Sequence, residues 1–284
     1  METINLFFDK NKNWLTNVDL YNTLRELGAN ECDVLFIHTS LSFGTPNPQL
    51  KKKQLLQAIL DVIYSLGVKT ICMPTFTFSF CNGEDYDVNA SASRMGVLNE
   101  YFRKQEGVIR SIDPLMSVAL KGEEKYLVEN IGNSSCGANS TYDMLHRRGK
   151  GVKFLMLGAK IGDCMTYMHY MEWLFSVDYR YERYFNGFIT DGDKKYRDEY
   201  IFFPRYKNVI ANANSYVYEQ RLYDKNLAKI AQFGDSTISI VGENEAVKEY
   251  FNCLQENPYF FVDLEGGTLI KEKTYAPTDV VLAM

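Results

Sequence analysis

The stretch DVLFIHTSLSFG, residues 33–44, decides the fold. Its apolar run VLFIH (34–38) is short and rich in bulky residues, which is typical of a strand buried on both faces. A polar loop (39–48) follows. From Gln49 to Gly67 the pattern LLQAILDVIYSLG places apolar residues at helical spacing, and VKTICM (68–73) indicates a second buried strand. Strand, helix and strand in this order predict a β-α-β unit.

The rest of the chain continues this alternation. Upstream, a pattern resembling a capping box at Thr16 to Asp19 opens a helix that ends at Gly28. Downstream, the apolar patterns predict a helix over 95–104, a strand over 117–122, a helix over 123–131, a strand over 152–158 and a helix over 166–177 capped by Thr166. The segment 186–204 alternates around a TDGDK turn, which predicts a β-hairpin. A helix (216–228), a strand (236–241) and a helix (246–255) complete the chain.

These patterns predict an α/β fold with a central, mostly parallel sheet flanked by helices and a smaller antiparallel appendage in the C-terminal half. We expect a main domain over 1–185, the appendage over 186–240, and a C-terminal segment, 241–284, that packs back on the main domain. A chain of 284 residues is long enough to bury a substantial core.

Composition narrows the class of protein. A net charge of −5 argues against a nucleic-acid binder, because affinity for nucleic acid depends on clustered Lys and Arg. Six scattered cysteines without a paired spacing indicate reduced thiols and no metal site. No apolar run reaches the roughly 18 residues of a membrane span. The expected protein is cytoplasmic, binds no membrane and can form a homodimer.

The segment TYMHYMEW (166–173) holds one of only three histidines. His169 and Glu172 are three positions apart on a predicted helix, so both side chains lie on one face. A carboxylate beside an imidazole can fix its tautomer and stabilise the imidazolium, as general-base catalysis requires. On spacing alone, a surface pair or a semi-buried structural histidine is the more common arrangement, because this spacing often arises by chance. A zinc site is disfavoured because the second histidine of a zinc helix is missing.

Two loops after predicted strands carry polar side chains. HTSLSFG (38–44) leads from a strand toward a helix, and helix starts suit phosphate oxygens, although an ordinary loop fits equally well. MPTFTFSF (73–80) alternates hydroxyls with aromatic residues, so in an extended conformation Thr75, Thr77 and Ser79 share one face. They could line a groove or form an unliganded strand edge.

RSIDPLMS (110–117) offers a third candidate. Arg110 could clamp a phosphate or carboxylate, with Ser111 as a further donor. Asp113, before a proline, either organises a turn or meets a polar group of a substrate. A structural Arg–Asp pair is the alternative.

Taken in order, HTSLSFG, MPTFTF, SRMGVLNEYFR, RSIDPLMS, LMLG and TYMHYMEW resemble the aminoglycoside N-acetyltransferase family that acylates the 3-amino group of those antibiotics. The resemblance runs from about Asn30 to Gly187 and continues more weakly to the C-terminus. It implies an acyl-CoA-dependent enzyme that transfers an acyl group to an amine, with acetyl-CoA or another acyl-CoA as co-substrate and small-molecule partners only.

The resemblance also implies roles for individual residues. Those on the coenzyme A side are His38, Thr39, Ser40, Leu41, Ser42, Thr75, Arg110, Ser111 and Ser117. Those at the reacting centre are His169, Glu172, Asp87 and Thr77. Those toward the amine substrate are Tyr86, Asp113 and Arg180.

The sequence departs from the antibiotic-modifying members at Asp113, where a histidine or asparagine is common. The segment from TYMHYMEW through VDYRY is closer to members that acylate nucleotide-linked amino sugars of surface polysaccharides, such as the N-acyltransferase of anthrose biosynthesis. A polycationic aminoglycoside needs an acidic pocket, whereas a diphosphate needs basic residues. Arg180, Arg183 and Lys150 could supply them. We therefore expect a nucleotide-linked amino sugar as the acceptor, with an aminoglycoside as the alternative.

His169 is expected to act as the base and Glu172 to orient it, with Asp87 as the competing base. Thr77 or nearby backbone N–H groups would stabilise the oxyanion. Because neither Cys nor Ser stands in a nucleophile motif, we expect direct transfer without an acyl-enzyme. A binding module that has lost catalysis, or a scaffold with an aromatic interface, would be the non-enzymatic alternatives.

Overall fold

The computed structural model describes residues 2–273, in which strands and helices alternate along the chain. The strands are β1 (Asn5–Phe8), β2 (Trp14–Thr16), β3 (Val34–Thr39), β4 (Thr45–Pro46), β5 (Thr70–Pro74), β6 (Tyr86–Asp87), β7 (Ile109–Arg110), β8 (Val118–Gly122), β9 (Val152–Leu157), β10 (Arg183–Asp191), β11 (Lys194–Phe202), β12 (Val209–Ala211), β13 (Ala228–Phe233), β14 (Ser236–Gly242) and β15 (Val262–Leu264). The helices are α1 (Asn17–Glu26), α2 (Lys52–Ser65), α3 (Val97–Phe102), α4 (Tyr126–Glu129), α5 (Thr141–Arg148), α6 (Ile161–Cys164), α7 (Met168–Phe175), α8 (Asn214–Asp224) and α9 (Glu243–Glu256).

The central sheet has seven strands in the order β13-β14-β9-β3-β5-β8-β7. The pairs β9–β3 and β3–β5 are parallel, while the four other pairs, toward the two edges of the sheet, are antiparallel. The sheet is therefore mixed, and the prediction of a mostly parallel sheet is wrong. The error arises because apolar runs identify buried strands but carry no information on their direction.

The two faces of the sheet bury different halves of the core. In β3, Leu35 and Ile37 join the core that includes the apolar face of α2, while Phe36 joins the core that includes α7. This division follows from the alternation of side chains along a strand. On the α7 side the Phe36 ring lies 5.9 Å from that of Tyr142, and many of the chain's aromatic residues pack in this core.

Local sequence signals explain several element boundaries. Thr16 and Asp19 form the predicted capping box at the start of α1. Helix α2 begins at Lys52 rather than near Gln49, because Asn47 closes a turn by accepting the Gln49 N–H. Thr166 does not cap α7, which begins at Met168 after Tyr167. The Thr166 hydroxyl contacts other polar side chains instead.

The predicted hairpin is confirmed as β10 and β11, which join through a two-residue turn containing Gly192 at a φ of +58°. Together with β6 they form a separate three-stranded sheet. Strand β13 and most of β14 also fall within 186–240, but they extend the central sheet, so this segment is not one antiparallel unit. The division into three segments stays a prediction, and residues 274–284 of the third lie outside the described residues.

Two smaller sheets, β2-β1-β4 and β12-β15, have no apolar pattern long enough to be predicted. Within residues 2–273, none of the helices combines the length and the apolar character needed to cross a bilayer.

Candidate active site

A cavity of about 580 Å³ opens at the carboxyl ends of β3 and β5. This is the edge at which open α/β sheets place their ligands. The sequence-predicted residues on its wall are His38, Thr39, Ser40, His169, Glu172 and Arg180. The structure thus brings residues from β3 and α7 to one cavity, although they are more than a hundred positions apart in the chain.

His169 lies on α7 with its side chain 13% exposed. Its Nδ1 atom is buried without a hydrogen-bond partner and lies 3.8 Å from Oε2 of Glu172, which is beyond hydrogen-bond distance. Because Nδ1 is enclosed, Nε2 is the nitrogen left to meet a substrate. Burial lowers the pKa of His169, so the imidazole is neutral at neutral pH.

Glu172 is held by two other side chains. Arg180 Nη2 lies 2.7 Å from Oε2, and the Tyr179 hydroxyl donates to Oε1 at 2.9 Å. Burial is the largest single effect and raises the pKa of the carboxyl, but Arg180, His169 and Arg205 together outweigh it and bring the pKa down to about 2. The predicted proximity of His169 and Glu172 is present, yet the nearest charged partner of the carboxylate is an arginine.

His38 is the penultimate residue of the buried strand β3 and is 2% exposed. Its Nε2 accepts the backbone N–H of Thr166 at 3.2 Å and lies 2.9 Å from Thr166 Oγ1, so the ring proton resides on Nδ1. The Tyr142 hydroxyl lies 2.5 Å from the same Oγ1. Burial lowers the pKa of His38 to about 3. Through these contacts with Thr166, the neutral imidazole of His38 links β3 to the residues just before α7.

The burial of His38 predicts a pH-dependent loss of stability. Its pKa is about 3 when folded and 6.5 in an ordinary environment, so its contribution is present above pH 6.5 and is lost as the pH falls toward 3. Between about pH 7.5 and about pH 5.5, wild type should lose about 1.4 kcal/mol more stability than His38→Gln, which keeps an acceptor for Thr166. Urea denaturation at both pH values measures this, and equal losses in the two proteins would contradict it.

The loop after β3 returns close to β9. The N–H of Ser40 donates to Leu157 O at 3.0 Å, and the Ser40 and Ser42 hydroxyls are 2.6 Å apart. Gly158 permits this approach, since a Cβ there would lie 2.9 Å from Leu41 N. Leu41 itself has a φ of +55°. Strand β4 separates this loop from α2, so the expected adjacent helix start is not part of the site.

Arg110 directs its donors to protein oxygens. Nη2 donates to Thr75 O at 2.6 Å, Nη1 donates to Val88 O and Ser91 O, and Nε donates to the hydroxyls of Thr75 and Ser117. These bonds fasten the loop after β5 to the edge of the central sheet. Arg110 and Ser117 are not on the cavity wall, and their assignment to coenzyme A stays a prediction.

The remaining predicted residues organise the backbone around the cavity. Thr77 donates to Pro114 O at 2.9 Å, and Ser111 Oγ accepts the Val118 N–H. Asp87 accepts the N–H groups of Asn89 and Ala90 in a turn.

Two predicted substrate contacts are buried in the same region. Asp113 accepts the N–H groups of Leu115 and Met116, and burial raises its pKa to about 6. The Tyr86 hydroxyl donates to Ser111 O. The roles predicted for Asp113 and Tyr86 at a substrate stay predictions.

The cavity wall also contains residues that no sequence argument singled out. They include Arg94, Gly96, Asn99, Arg205, Tyr250 and Phe261. Arg94 to Asn99 lie within SRMGVLNEYFR, so a signal for them was present in the family-like segment. Arg205, Tyr250 and Phe261 come from the C-terminal third, where no motif marks them.

Cys164 is the cysteine on the cavity wall. Burial and the neighbouring Asp163 raise the pKa of its thiol, so the thiol stays protonated. Within residues 2–273 no group of three His, Cys, Asp or Glu side chains is arranged to hold a metal ion.

The fold and the sequence both point to one family. Among solved structures, aminoglycoside acetyltransferase AAC(3)-Xa superposes with a TM-score of 0.71 at 17% identity, covering 85% of this chain and 93% of that one. AAC-IIIb, solved as a binary complex with CoASH, gives 0.70 at 16% identity, covering 84% and 96%. AAC(3)-IVa, solved in complex with a gentamicin, gives 0.67 at 18% identity, covering 92% and 93%.

At these identities the superpositions establish the fold alone. No curated protein matches the chain by sequence. The sequence model of the family described as aminoglycoside 3-N-acetyltransferase, however, matches residues 36–255, which is most of the chain. The protein therefore belongs to the aminoglycoside 3-N-acetyltransferase family and is an acetyltransferase of that family.

Proposed function

We propose that the protein transfers the acyl group of an acyl-CoA to the amino group of a nucleotide-linked amino sugar. The observation that carries this proposal is the charge of the cavity wall. Among the described residues it holds three arginines, Arg94, Arg180 and Arg205, against the two carboxylates Asp163 and Glu172. Glu172 is already paired with Arg180. Such a wall favours an anionic acceptor over one with several ammonium groups.

Acyl-CoA as the donor is supported by the family and by the complex of AAC-IIIb with CoASH. The loop with Ser40, Leu41 and Ser42 is our candidate for the phosphate contacts, since Ser40 lies on the cavity wall. Arg110 would contribute only indirectly, by holding the loop after β5, because its donors already bind protein oxygens.

In the proposed reaction, His169 takes a proton from the sugar ammonium, directly or through water. The free amine attacks the thioester carbonyl and a C–N bond forms, and the C–S bond then breaks so that the coenzyme A thiolate leaves. The attacking nitrogen loses its second proton to this thiolate, directly or through water, and the His169 imidazolium releases its proton to solvent. Glu172 stays ionised and stabilises the imidazolium. Because the Thr77 hydroxyl donates to Pro114 O, backbone N–H groups are the better candidates for the oxyanion donors.

Direct transfer without an acyl-enzyme is supported by the protonated thiol of Cys164. A radiolabelled acyl group trapped on Cys164 would overturn this part of the proposal. The cytoplasmic location and the homodimer stay predictions.

The alternative acceptor is an aminoglycoside. It is favoured by the name of the family and by the complex of AAC(3)-IVa with a gentamicin. The two acceptors differ in the sign of their charge, so the same cavity cannot serve both equally well.

A thiol-release assay across nucleotide-linked amino sugars and aminoglycosides tests the proposal. We expect the nucleotide-linked substrates to have a kcat/KM at least about 100-fold higher, because several kcal/mol separate favourable from unfavourable charge pairing. Arg94→Gln should reduce that preference, since Arg94 is exposed at the cavity and forms no ion pair within residues 2–273. Lys104→Gln, which removes an exposed cation whose partner is Glu100, is the control. Equal or better turnover of aminoglycosides would favour the alternative.

A further inference from the structure

The carboxylate of Glu172 has closer partners than the imidazole it is expected to orient. Arg180 Nη2 is 2.7 Å from Oε2 and the Tyr179 hydroxyl is 2.9 Å from Oε1, whereas His169 Nδ1 is 3.8 Å away. Both carboxylate oxygens are thus engaged outside the His–Glu pair. Nδ1 of His169 is left buried and without a hydrogen bond.

Arg180 is fixed on two sides. Its side chain is 6% exposed, and Nη1 donates to Phe203 O at 2.7 Å while Nη2 contacts Glu172. A guanidinium held by a backbone carbonyl and a carboxylate is not available to clamp a diphosphate. The sequence predicted that Arg180 contacts the substrate, and that role does not explain why its guanidinium is bound to Phe203 O and Glu172.

We propose that Arg180 is a positioning residue that holds the Glu172 carboxylate back from His169, so that the imidazole meets the substrate as a neutral base. This inference rests on the proposed role of His169 as base. A direct His–Glu hydrogen bond would increase the affinity of the imidazole for a proton and would hold the base protonated before the substrate ammonium arrives. Arg180 prevents this while keeping a negative charge within reach of the imidazolium formed during turnover.

The groups around His169 are consistent with this role. Burial lowers its pKa, as do the cations Arg180 and Arg205, while the carboxylate of Glu172 raises it. The other charged or titratable side chains on the cavity wall are Arg94 before α3, Asp163 and Cys164 on α6, His38 on β3 and Tyr250 on α9. Arg180 is a cation in direct contact with the Glu172 carboxylate.

Because the chain has only three histidines, each can be followed by ¹⁵N NMR on a sample labelled at histidine. Arg180→Gln should raise the pKa of His169 by about one unit or more, since removal of a cation lets the carboxylate act on the imidazole alone. Arg180→Lys, which preserves the charge, should restore most of the wild-type titration. His38 and His146 serve as internal controls for a global change. An unchanged His169 titration in a folded Arg180→Gln protein would overturn the proposal.

Arg180→Gln leaves a buried carboxylate without its counterion and can fail to fold. The double variant Glu172→Gln/Arg180→Gln avoids this, because it contains neither charge of the pair. The pKa of His169 should stay close to the wild-type value in this variant, because in wild type Arg180 already withholds the carboxylate from the imidazole. A fall of about one unit or more would show that the carboxylate acts on His169 despite Arg180 and would contradict the proposal.

Kinetics separate a positioning role from a substrate contact. In Arg180→Gln, the acid limb of the pH profile of kcat/KM should move to higher pH, with the KM for acyl-CoA unchanged. A rise confined to the KM for the amine, with the pH profile unmoved, would make Arg180 a substrate-binding residue. If the NMR shift occurs but His169→Ala remains active, the electrostatic coupling stands and the assignment of the base fails.

Discussion

His169→Ala should lower kcat by about two to four orders of magnitude while the protein still binds acyl-CoA. The imidazole is neutral, lies on the cavity wall and has one nitrogen enclosed, so a single nitrogen is left to accept the proton. Deleting it removes the base but not the loop at Ser40 to Ser42 that we assign to the cofactor. Thiol release measures the rate, and a shift of the melting temperature by acetyl-CoA measures binding.

His146→Ala is the matched control, because His146 is outside the cavity wall and bonds Glu243 instead. Its activity should stay near wild type in a folded protein. An unchanged rate in His169→Ala would move the base to the competing Asp87, whose Oδ1 accepts two backbone N–H groups. Loss of all acetyl-CoA binding in His169→Ala would instead contradict the separation of base and cofactor sites.

Glu172→Gln should lower the free energy of unfolding by about 3–5 kcal/mol, because breaking a buried pair leaves the guanidinium of Arg180 without its counterion. In a domain of this size the change amounts to a fall of roughly 5–10 °C in Tm. The carboxyl pKa is about 2 when folded and 4.5 in an ordinary environment. The stabilisation by Glu172 is therefore present above pH 4.5 and is lost as the pH falls toward 2.

A double-mutant cycle with Arg180→Gln isolates the pair. The double variant should be more stable than the sum of the two single losses predicts, because it leaves neither charge buried alone. Asp85→Asn is the matched control, since Asp85 pairs with Lys195 at the surface and both side chains are about half exposed. It should cost less than about 1 kcal/mol. Additive losses at Glu172 and Arg180 would show that their contact contributes nothing to stability.

The sequence was most informative where a periodic pattern meets a local signal. Buried runs located β3, β5 and β9, helical spacing located α2 and α9, and the capping box located the start of α1. These features depend on neighbouring residues and their solvation. The two-residue turn at Gly192 identified the hairpin for the same reason.

Strand direction and strand partners depend on distant segments. The antiparallel insertion of β14 beside β9 makes the central sheet mixed, and nothing in STISIV encodes that neighbour. The short strands β1, β2 and β4 have too few residues to show a period. The directions and partners of the strands are therefore determined by the tertiary structure and not by the local sequence.

For the candidate site, the sequence identified the residues able to carry out the chemistry better than it identified the contacts between them. It singled out His169 and Glu172 from their spacing, and both line the cavity. It could not show that Arg180 contacts Glu172 more closely than His169 does, because that order depends on the turn after α7 and on Phe203 O. Arg110 was predicted to bind a phosphate because of its charge. In the structure its N–H groups donate to backbone carbonyl oxygens instead.

By itself the sequence determined the buried strands, the helices between them, the residue types able to move a proton, and the family. The tertiary structure alone decided which of those polar groups share a cavity and which form hydrogen bonds to the backbone around it. The reason is physical: a hydrophobic period is a local property, whereas the partner of a buried charge is set by whichever distant backbone or side chain packs beside it.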